Sequence, residues 1–379
     1  MTKNACLSNH AKSKNIFKHR GPATANRKEH RVLINSLAVY YISVPLCLKF
    51  LLSYLQLFSR MLNTTLTAGL LSLLIFGLLS GGVIETSDPN GSTIPLGPKF
   101  PAEVTAFQSY SANPVFTGTG SDTWDQNIRE RGYILRENGI YHLWYTGYRE
   151  GKNQTRSLGY ATSKDGLKWT RNKGNPIHAS TWVEDMSVVK SGNTYYMFAE
   201  GANDVAHLLT STDRINWKER GPLDIRYTNH QPLNKGSYGT PTIWKEKDTW
   251  YLFYERNDEA VWLATSKDLN VWTNVQDKPV LEKGPSAYDR YAVAMNQIIR
   301  YKGAYYAYYH ASAFADWHEW STNVAVSTDL IHWTKYAGNP ILGDDKSSSI
   351  LVNDGTQYRL YSMHPAVTVF FPVGSVGKP

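Results

Sequence analysis

Beyond residue 60 the chain contains no cysteine, because Cys6 and Cys47 are the only two in 379 residues. This absence excludes a disulfide framework, a CxxC site and a catalytic thiol from the body of the protein. The sequence also lacks GxxxxGKS/T, GxGxxG and GxSxG motifs, which argues against nucleotide-binding loops and serine esterase chemistry. Close histidine pairs of the HxxxH type are missing as well, so we predict no metal site and no cofactor.

An excess of one charge sign is also missing from the body. The net charge of +8 comes from residues 1–60, which contain ten Lys and Arg and a single acid, Glu29. Residues 61–379 contain 30 basic and 31 acidic residues. Because nucleic-acid binding requires a basic surface, we predict no nucleic-acid partner.

A long uncharged run, residues 61–84, lies near the N-terminus. We predict that residues 61–85 are a signal peptide or membrane anchor and that residues 86–101 are a linker. Residues 1–60 are a basic and apolar extension. Either the true start is Met61, or two apolar segments form a membrane anchor. In both cases we expect the body, residues 102–373, to be periplasmic or secreted, with a possible membrane tether.

The body contains an aromatic-rich repeat. Ser-x-Asp-x-x-x-Trp occurs four times, ending at Trp169, Trp217, Trp272 and Trp333. An aromatic strand precedes each copy, and a fifth such strand, Tyr358 to Tyr361, has no copy after it. Short strands with a period of 40–60 residues predict an all-β fold, a five-bladed β-propeller. We expect each motif Asp to form a turn and each motif Trp to pack between blades.

The fifth blade has no outer strand of its own in this pattern. Residues Val104 to Ser111 are the candidate, because the following Asn113-Pro114-Val115 is similar to Asn-Pro-Ile at 175–177 and 339–341. We therefore predict that the two ends of the body meet in one blade and close the ring.

The repeat also indicates which residues surround the central channel. When the blades are aligned on their aromatic strands, the second strands end at equivalent positions, namely Thr146, Glu200, Glu255, His310 and His364. Acidic residues occur at the starts of the first two inner strands, at Glu130 and at Glu184-Asp185. We expect the ends of the second strands to lie together near one rim of the channel.

Two stretches resemble a known superfamily. Trp-Val-Glu-Asp-Met-Ser-Val-Val at 182–189, with Gly192 and Tyr195-Tyr196-Met197 after it, resembles the acidic inner strand of five-bladed-propeller glycoside hydrolases. These include arabinanases, xylosidases, invertases and levansucrases, with the related mannoside phosphorylases. Gly-Tyr-Ala-Thr-Ser-Lys-Asp-Gly-Leu-Lys-Trp at 159–169 is similar to their blade-ending strand. The resemblance covers about residues 102–373.

The resemblance implies three inner-strand carboxylates. One activates water or attacks the anomeric carbon, one protonates the leaving oxygen, and one tunes pKa values and orients the sugar. Asp185, with Glu184, matches the acid of the second blade. Asp125 is our candidate in the first blade, with Glu130 close behind it.

The third blade departs from the superfamily pattern. It has Gly239-Thr240-Pro241 where the superfamily has an acid, so Glu255, Glu200 or Asp289 is the candidate replacement. The predicted catalytic residues are therefore Asp125, Glu130, Asp185 and Glu255. The predicted substrate-binding residues are Trp124, Arg129, Glu184, Glu200, Tyr238, Thr240, Asp289, Arg290 and His310.

Each candidate also has a structural interpretation. Trp124 beside Asp125 suits sugar stacking, yet both lie in a predicted loop. Glu130 lies between two arginines and is equally compatible with an ion-pair network. Glu200 and Glu255 end apolar strands, where an unpaired carboxylate is costly, so each is either functional or paired with arginine.

The sequence leaves three functions to be compared. The first is a glycoside hydrolase that acts on an oligosaccharide or polysaccharide. The second is a glycoside phosphorylase, with a phosphate pocket formed by Arg129, Arg131, Arg290 and His310. The third is a non-catalytic sugar-binding propeller, which the missing acid of the third blade motivates.

Overall fold

The computed structural model describes residues 99–151, 156–234 and 236–374 and confirms an all-β five-bladed propeller. The predictions for residues 1–98, namely extension, signal or anchor segment and linker, lie outside the described residues and stay predictions, as does the expected location outside the cytoplasm. Within the described ranges, no helix is long and apolar enough to cross a membrane.

Each blade is a sheet whose first strand lines the channel. The chain begins with a helical turn and one strand, α1 (Ala102–Thr105) and β1 (Phe107–Ser109). The first blade contains β2 (Asn127–Glu137), β3 (Ile140–Tyr148), β4 (Ser157–Ser163) and β5 (Thr170–Arg171). The second blade contains β6 (Glu184–Ser191), β7 (Thr194–Gly201), β8 (Val205–Ser211) and β9 (Lys218–Pro222).

The third blade is the largest of the five sheets. It contains β10 (Asp224–Arg226), β11 (Gly239–Glu246), β12 (Thr249–Glu255), β13 (Ala260–Ser266), β14 (Val271–Asn274) and β15 (Leu281–Glu282). The fourth blade contains β16 (Ala292–Tyr301), β17 (Ala304–Ser312), β18 (Ser321–Ser327) and β19 (Thr334–Lys335). The fifth contains β20 (Ile350–Asn353), β21 (Tyr358–Ser362), β22 (Thr368–Pro372) and, from the other end of the chain, β1.

The repeated motif forms the turn after the third strand of a blade. In the first blade, Asp165 Oδ1 accepts hydrogen bonds from the N–H groups of Leu167 and Lys168, each 2.8 Å long. Ser163 Oγ accepts the N–H of Gly166 at 2.8 Å. The same two-part pattern recurs at Asp213, Asp268 and Asp329. All of its bonds are local, which is why a short sequence motif predicts the turn.

The motif tryptophans join neighbouring blades. Each of three packs edge-on against an aromatic ring of the preceding blade: Trp217 on Trp144, Trp272 on Phe198, and Trp333 on Phe253. Such edge-to-face pairs contribute about 0.5–1.5 kcal/mol beyond the burial of their area. The predicted packing of tryptophan between blades is confirmed.

The two ends of the described chain meet in the fifth blade, as predicted. Strand β1 pairs antiparallel with β22, with Phe107 opposite Pro372. The Asn113 side chain then extends the pairing, because it accepts the N–H of Val369 at 2.9 Å and donates to its carbonyl at 2.8 Å. Asn175 and Asn339 bond in the same way to third-strand backbones in the first and fourth blades. The strand is shorter than predicted because α1 precedes it and buries Val104.

Candidate functional site

The inner strands of the second and third blades begin with bulges. The register shifts between Glu184 and Ser187 in β6 and between Gly239 and Thr242 in β11. Within these bulges Asp185 and Thr240 have φ angles of +45° and +43°. A left-handed backbone is costly for residues other than glycine, and such strain concentrates at functional sites. The bulges mark one rim of the channel, where Glu184 lies opposite Glu200 and Gly239 opposite Glu255.

Glu200 and Glu255 converge at this rim on Gly239 and Thr240. Glu200 Oε2 accepts the Thr240 N–H at 2.7 Å and lies 3.3 Å from the Thr240 hydroxyl. Glu255 accepts the Gly239 N–H at 3.1 Å and, through its other oxygen, the Asp258 N–H at 2.6 Å. Both carboxyl groups are buried, with 8% and 4% of the residue exposed. The two second-strand acids are therefore held on the same short backbone segment.

Burial and mutual repulsion keep this pair partly protonated. Burial raises the pKa of Glu200 well above its ordinary value, and the charges of Asp185, Glu184 and Glu255 raise it further. Burial also raises the pKa of Glu255, to about 7, although the N–H of Asp258 opposes the shift. Two neighbouring carboxyl groups cannot easily both ionise in a buried site. Both shifts favour the protonated forms, and the shift of the Glu200 pKa is the stronger of the two.

Glycine at position 239 has a steric reason. A Cβ there would lie 2.7 Å from Glu255 Oε1 and closer still to Glu200 Oε2. An acidic side chain at this position would therefore displace both carboxyl groups. Glu255, at the end of the second strand of the third blade, lies directly opposite Gly239 in the register and stays a candidate for the missing acid.

Arg131 crosses the channel beneath these acids. Its side chain is fully buried, and Nη1 donates to the Thr242 hydroxyl at 2.7 Å and to the carbonyls of Met295 and Asn296 at 2.7 and 2.9 Å. Nη2 donates to the carbonyls of Asp185 and Pro241, so one guanidinium on the first blade bonds to the second, third and fourth blades.

The backbone of Arg131 positions an acid as well. Its N–H donates to Asp185 Oδ1 at 3.0 Å, which fixes that carboxyl group beside the guanidinium. Burial lowers the pKa of Arg131 to about 10, while Asp185 opposes the shift, so the guanidinium remains charged at neutral pH. The sequence predicts Arg131 only as part of a phosphate pocket, because the residues that it contacts in the other blades are more than 50 positions away along the chain.

Two further arginines border Glu184. Arg156 Nε lies 3.2 Å from Glu184 Oε2, and Arg129 Nε lies 3.9 Å from the same oxygen. The guanidinium of Arg156 is also within 4.3 Å of the Tyr148 ring centre and 5.0 Å of the Trp182 ring centre. Arg129 and Glu184 were predicted binding residues. Arg156 was missed, since nothing around it in the sequence distinguishes it from a surface arginine.

Asp125 has structural partners instead of the acid pair. It is 2% exposed, and its carboxyl group accepts hydrogen bonds from Arg171 Nε at 2.9 Å, Tyr145 at 3.0 Å and Thr123 at 3.0 Å. Its partners belong to the first blade and its preceding loop. The contacts described for Asp125 do not include the Glu200 and Glu255 pair, and its catalytic role stays a prediction.

Trp124 also packs against its own blade. Its ring stacks on Tyr145 with centroids 5.7 Å apart, and it lies over Gly147 and Gly159, where a Cβ would collide with it. These contacts account for a tryptophan in this loop without a sugar. The backbone of Glu130 belongs to β2, but its side chain lies outside the described part of the structure.

Asp289 and Tyr238 also have partners other than the acid pair. Asp289 is fully buried and pairs with Lys335 Nζ at 2.5 Å, while the neighbouring Arg290 is exposed. Tyr238 donates its hydroxyl to the carbonyl of Leu223 at 3.3 Å and packs in the core between the second and third blades. Of the candidate replacements for the third-blade acid, the structure joins Glu200 and Glu255 and leaves Asp289 elsewhere.

His310 lies on the wall of the fourth blade. Its Nδ1 is 2.8 Å from the amide nitrogen of Asn296, whose backbone carbonyl accepts a hydrogen bond from Arg131. If the amide donates, the ring proton is on Nε2. Trp320 packs edge-on against the ring at 4.9 Å. In the described ranges, no group of three or more His, Cys, Asp or Glu residues has the arrangement of a metal site.

The fold is that of the five-bladed propellers, and the named proteins to which the chain is similar act on glycosidic bonds. No family model matches the sequence. A 1,2-beta-oligomannan phosphorylase from Thermoanaerobacter sp. (strain X514) is 25% identical over 221 residues, covering 53% of this chain and 70% of that protein.

Solved structures share the fold at low sequence identity. A glycosyl hydrolase from Bacteroides ovatus has a TM-score of 0.58 and 17% identity, covering 72% of this chain and 95% of that one. A second structure belongs to work on the GH130 family of mannoside phosphorylases, said there to contain glycoside hydrolases that target beta-1,2 mannosidic linkages in Candida mannan. It has a TM-score of 0.58 and 16% identity, covering 72% of this chain and 96% of that one. The expected superfamily fold is confirmed.

Proposed function

We propose that the chain is a glycoside hydrolase whose catalytic groups are Glu200, Glu255 and Asp185. The observation that carries this proposal is the buried pair of Glu200 and Glu255, whose carboxyl groups converge on the N–H groups of Gly239 and Thr240 and whose pKa values are both raised by burial. Glycoside cleavage needs one protonated and one ionised carboxyl group at the same bond. A pair of this kind has little structural value, since it stores repulsion in the folded state.

The surroundings of the two carboxyl groups assign their roles. Glu200 has the stronger preference for its proton, because burial and then the charges of Asp185, Glu184 and Glu255 raise its pKa, so it donates to the leaving oxygen. Glu255 accepts two backbone N–H groups, which favour its ionised form, so it acts on the anomeric centre directly or through water. Asp185, fixed by the Arg131 N–H, orients the sugar beside them.

Water and phosphate are both compatible with the charge around the rim. The acids there are Glu184, Asp185, Glu200 and Glu255, and the cations are Arg129, Arg156 and Arg131. Hydrolysis is the first candidate because a pair of carboxyl groups with raised pKa values suits the activation of water. Phosphorolysis remains the second candidate function, because the curated relative that matches by sequence is named a phosphorylase.

The relatives suggest which sugars to test first. One is named for 1,2-linked oligomannan, and another structure is linked to beta-1,2 mannosidic bonds. We therefore propose β-1,2-linked mannosides as the first substrate class. The experiment incubates the purified chain with β-1,2-mannobiose to β-1,2-mannohexaose and an aryl β-mannoside, with and without inorganic phosphate, and identifies the released sugars by mass.

The expected result is free mannose at a rate independent of phosphate. Mannose 1-phosphate that appears only with phosphate would replace hydrolysis by phosphorolysis. The matched control is Asp248→Asn, an exposed acid on the opposite hairpin of the third blade, which should keep full turnover. If the chain binds the oligomers and releases no product, the non-catalytic interpretation would replace the enzyme.

A further inference from the structure

Exposed aromatic side chains collect at one edge of the fourth blade. In the described part of the chain, Tyr291 and Phe314 are the two exposed large aromatic residues, 37% and 39% exposed. Tyr291 immediately precedes β16, and Phe314 follows the end of β17. The Tyr291 N–H donates to the carbonyl of Ser312 at 3.1 Å, so the two rings belong to the same edge of the blade.

Two tryptophans lie in the same loop. Trp317 and Trp320 have ring centroids 6.2 Å apart, and Trp320 packs against His310 at 4.9 Å. We name Tyr291, Phe314, Trp317 and Trp320 the aromatic rim. Its rings extend from the channel wall at His310 to the exposed surface.

The loop that carries the aromatic rim has a defined shape. The Trp317 N–H donates to the Phe314 carbonyl at 3.2 Å, and the Ser312 hydroxyl accepts the Phe314 N–H at 3.1 Å. The Trp320 N–H donates to Asp345 Oδ1 at 3.1 Å, which ties the loop to the segment before the fifth blade. Rings held in this way bind a ligand with little loss of side-chain freedom.

Strand register places the aromatic rim on the same rim of the channel as the acid pair. Gly239 opposite Glu255 in the third blade corresponds to the start of β16 opposite the end of β17 in the fourth. The backbone of Asp258 connects the third and fourth blades at this rim. Its N–H donates to Glu255, and its carbonyl accepts the N–H of Val293 at 2.8 Å. The aromatic rim therefore begins one blade beyond Glu255.

The chemistry of this surface fits a sugar chain. Aromatic faces pack on the C–H faces of pyranose rings, while neighbouring polar groups bond to the hydroxyls. Exposed apolar patches rimmed by polar residues mark binding surfaces. The polar groups here include Asp316, His318 and Arg290, which have mixed charge and so do not select an ionic ligand.

We propose that the aromatic rim is a subsite that binds further sugar units of an oligosaccharide whose scissile bond lies at Glu200 and Glu255. This inference rests on the proposed function and adds that the substrate is a chain of several sugars. It predicts that turnover improves with chain length until the aromatic rim is filled.

The experiment compares the unaltered chain with three variants, Trp317→Ala, Trp317→Phe and Val275→Ala. Val275 is an exposed apolar residue of the third blade and serves as the matched surface control. The measured quantity is kcat/KM for β-1,2-mannohexaose divided by kcat/KM for the aryl β-mannoside. Trp317→Ala should lower this ratio about tenfold, Trp317→Phe should restore most of it, and Val275→Ala should leave it at the value of the unaltered chain.

Binding without turnover separates this inference from the proposed function. The dissociation constant for β-1,2-mannohexaose is measured by calorimetry in Glu200→Gln and in Glu200→Gln combined with Trp317→Ala. Weaker binding in the double variant supports the subsite even if the unaltered chain releases no product. Equal dissociation constants and an equal chain-length ratio would overturn the subsite even if the chain is a hydrolase. Failure of the unaltered chain to bind the hexaose would overturn it as well.

Discussion

The carboxylates of the first and fourth blades have different neighbours from those of the second and third. Asp125 and Asp289 precede inner strands, and each meets a cation from the outer strand of its own blade, Arg171 or Lys335. Glu200 and Glu255 end second strands, and their described hydrogen bonds come from backbone N–H groups and one hydroxyl. We interpret the two acids that are matched by a cation as loop anchors, and we propose the two acids that face other acids for proton transfer.

The repeat makes this contrast informative. In the first blade Asn175 donates to the Tyr145 hydroxyl at 3.1 Å, and in the fourth blade Asn339 donates to the equivalent Tyr309 at 3.1 Å. The two anchoring aspartates thus belong to the same blade design, repeated three blades apart. Four variants and their controls test whether the difference in surroundings is also a difference in role.

The largest expected effect is on turnover by the acid pair. Glu200→Gln and Glu255→Gln should each lower kcat by about 10²- to 10⁴-fold, because each removes a proton-transfer group at little change in size. The measurement is steady-state kinetics on the mannoside that the unaltered chain cleaves best, with circular dichroism to verify the fold. A kcat within threefold of the unaltered chain in either folded variant would remove that residue from the mechanism.

The anchoring aspartates should show the opposite behaviour. Asp125→Asn and Asp289→Asn should lower the free energy of unfolding by about 1–3 kcal/mol, since a buried cation contact is broken. Their kcat should stay within about threefold of the unaltered chain. Urea unfolding and the same kinetic assay provide the two readouts. A variant that keeps its stability and loses turnover would make that aspartate catalytic after all.

The sequence could predict the blades but could not separate these two kinds of acid. The Ser-x-Asp-x-x-x-Trp turn uses bonds within a few residues, so its pattern is visible in the chain. Arg171 and Lys335 each lie 46 residues along the chain from the aspartate that they contact. Other Lys and Arg residues lie within both intervals, so the sequence does not show which cation is the partner.

The residues that line the channel were harder to predict, because β-bulges decide which way their side chains point. Arg131 lies where the register of β2 shifts, between Arg129 and Tyr133, and this shift decides whether a side chain points into the channel. One inserted residue exchanges the two faces of a strand. The sequence therefore identified Asp185, Glu200 and Glu255 as candidates, but it missed the bonds of Arg131 and the contact of Arg156 with Glu184.

A smaller effect is expected on stability. Glu200 has a pKa raised by burial, so the folded state keeps a proton that the unfolded state releases above its ordinary pKa near 4.5. Stability is therefore lost as pH rises from that value toward the folded pKa. Glu200→Gln should raise the midpoint of thermal unfolding by about 2–4 °C at pH 8 and by less at pH 5. Glu259→Gln, at an exposed position, is the control that should show no such pH dependence. An increase in the unfolding midpoint of Glu200→Gln that is the same at pH 5 and pH 8 would contradict the raised pKa assigned to Glu200.

The smallest expected effect is on the pH profile. Activity should rise with pH through an apparent pKa of about 7 as Glu255 ionises. Asp204 is exposed and its charge raises the pKa of Glu255, so Asp204→Asn should move this limb downward by a few tenths of a unit. Asp248→Asn, on the opposite hairpin, should leave the limb in place. If the ascending part of the pH profile does not move in Asp204→Asn, a group other than Glu255 controls it.

Arg131 lies in the channel below the acids, and this has a consequence for the proposed reaction. Its guanidinium bonds to the second, third and fourth blades at that level. If the chain is the proposed hydrolase, we expect substrate and released sugar to use the rim side of the channel, so that accumulating product competes with substrate.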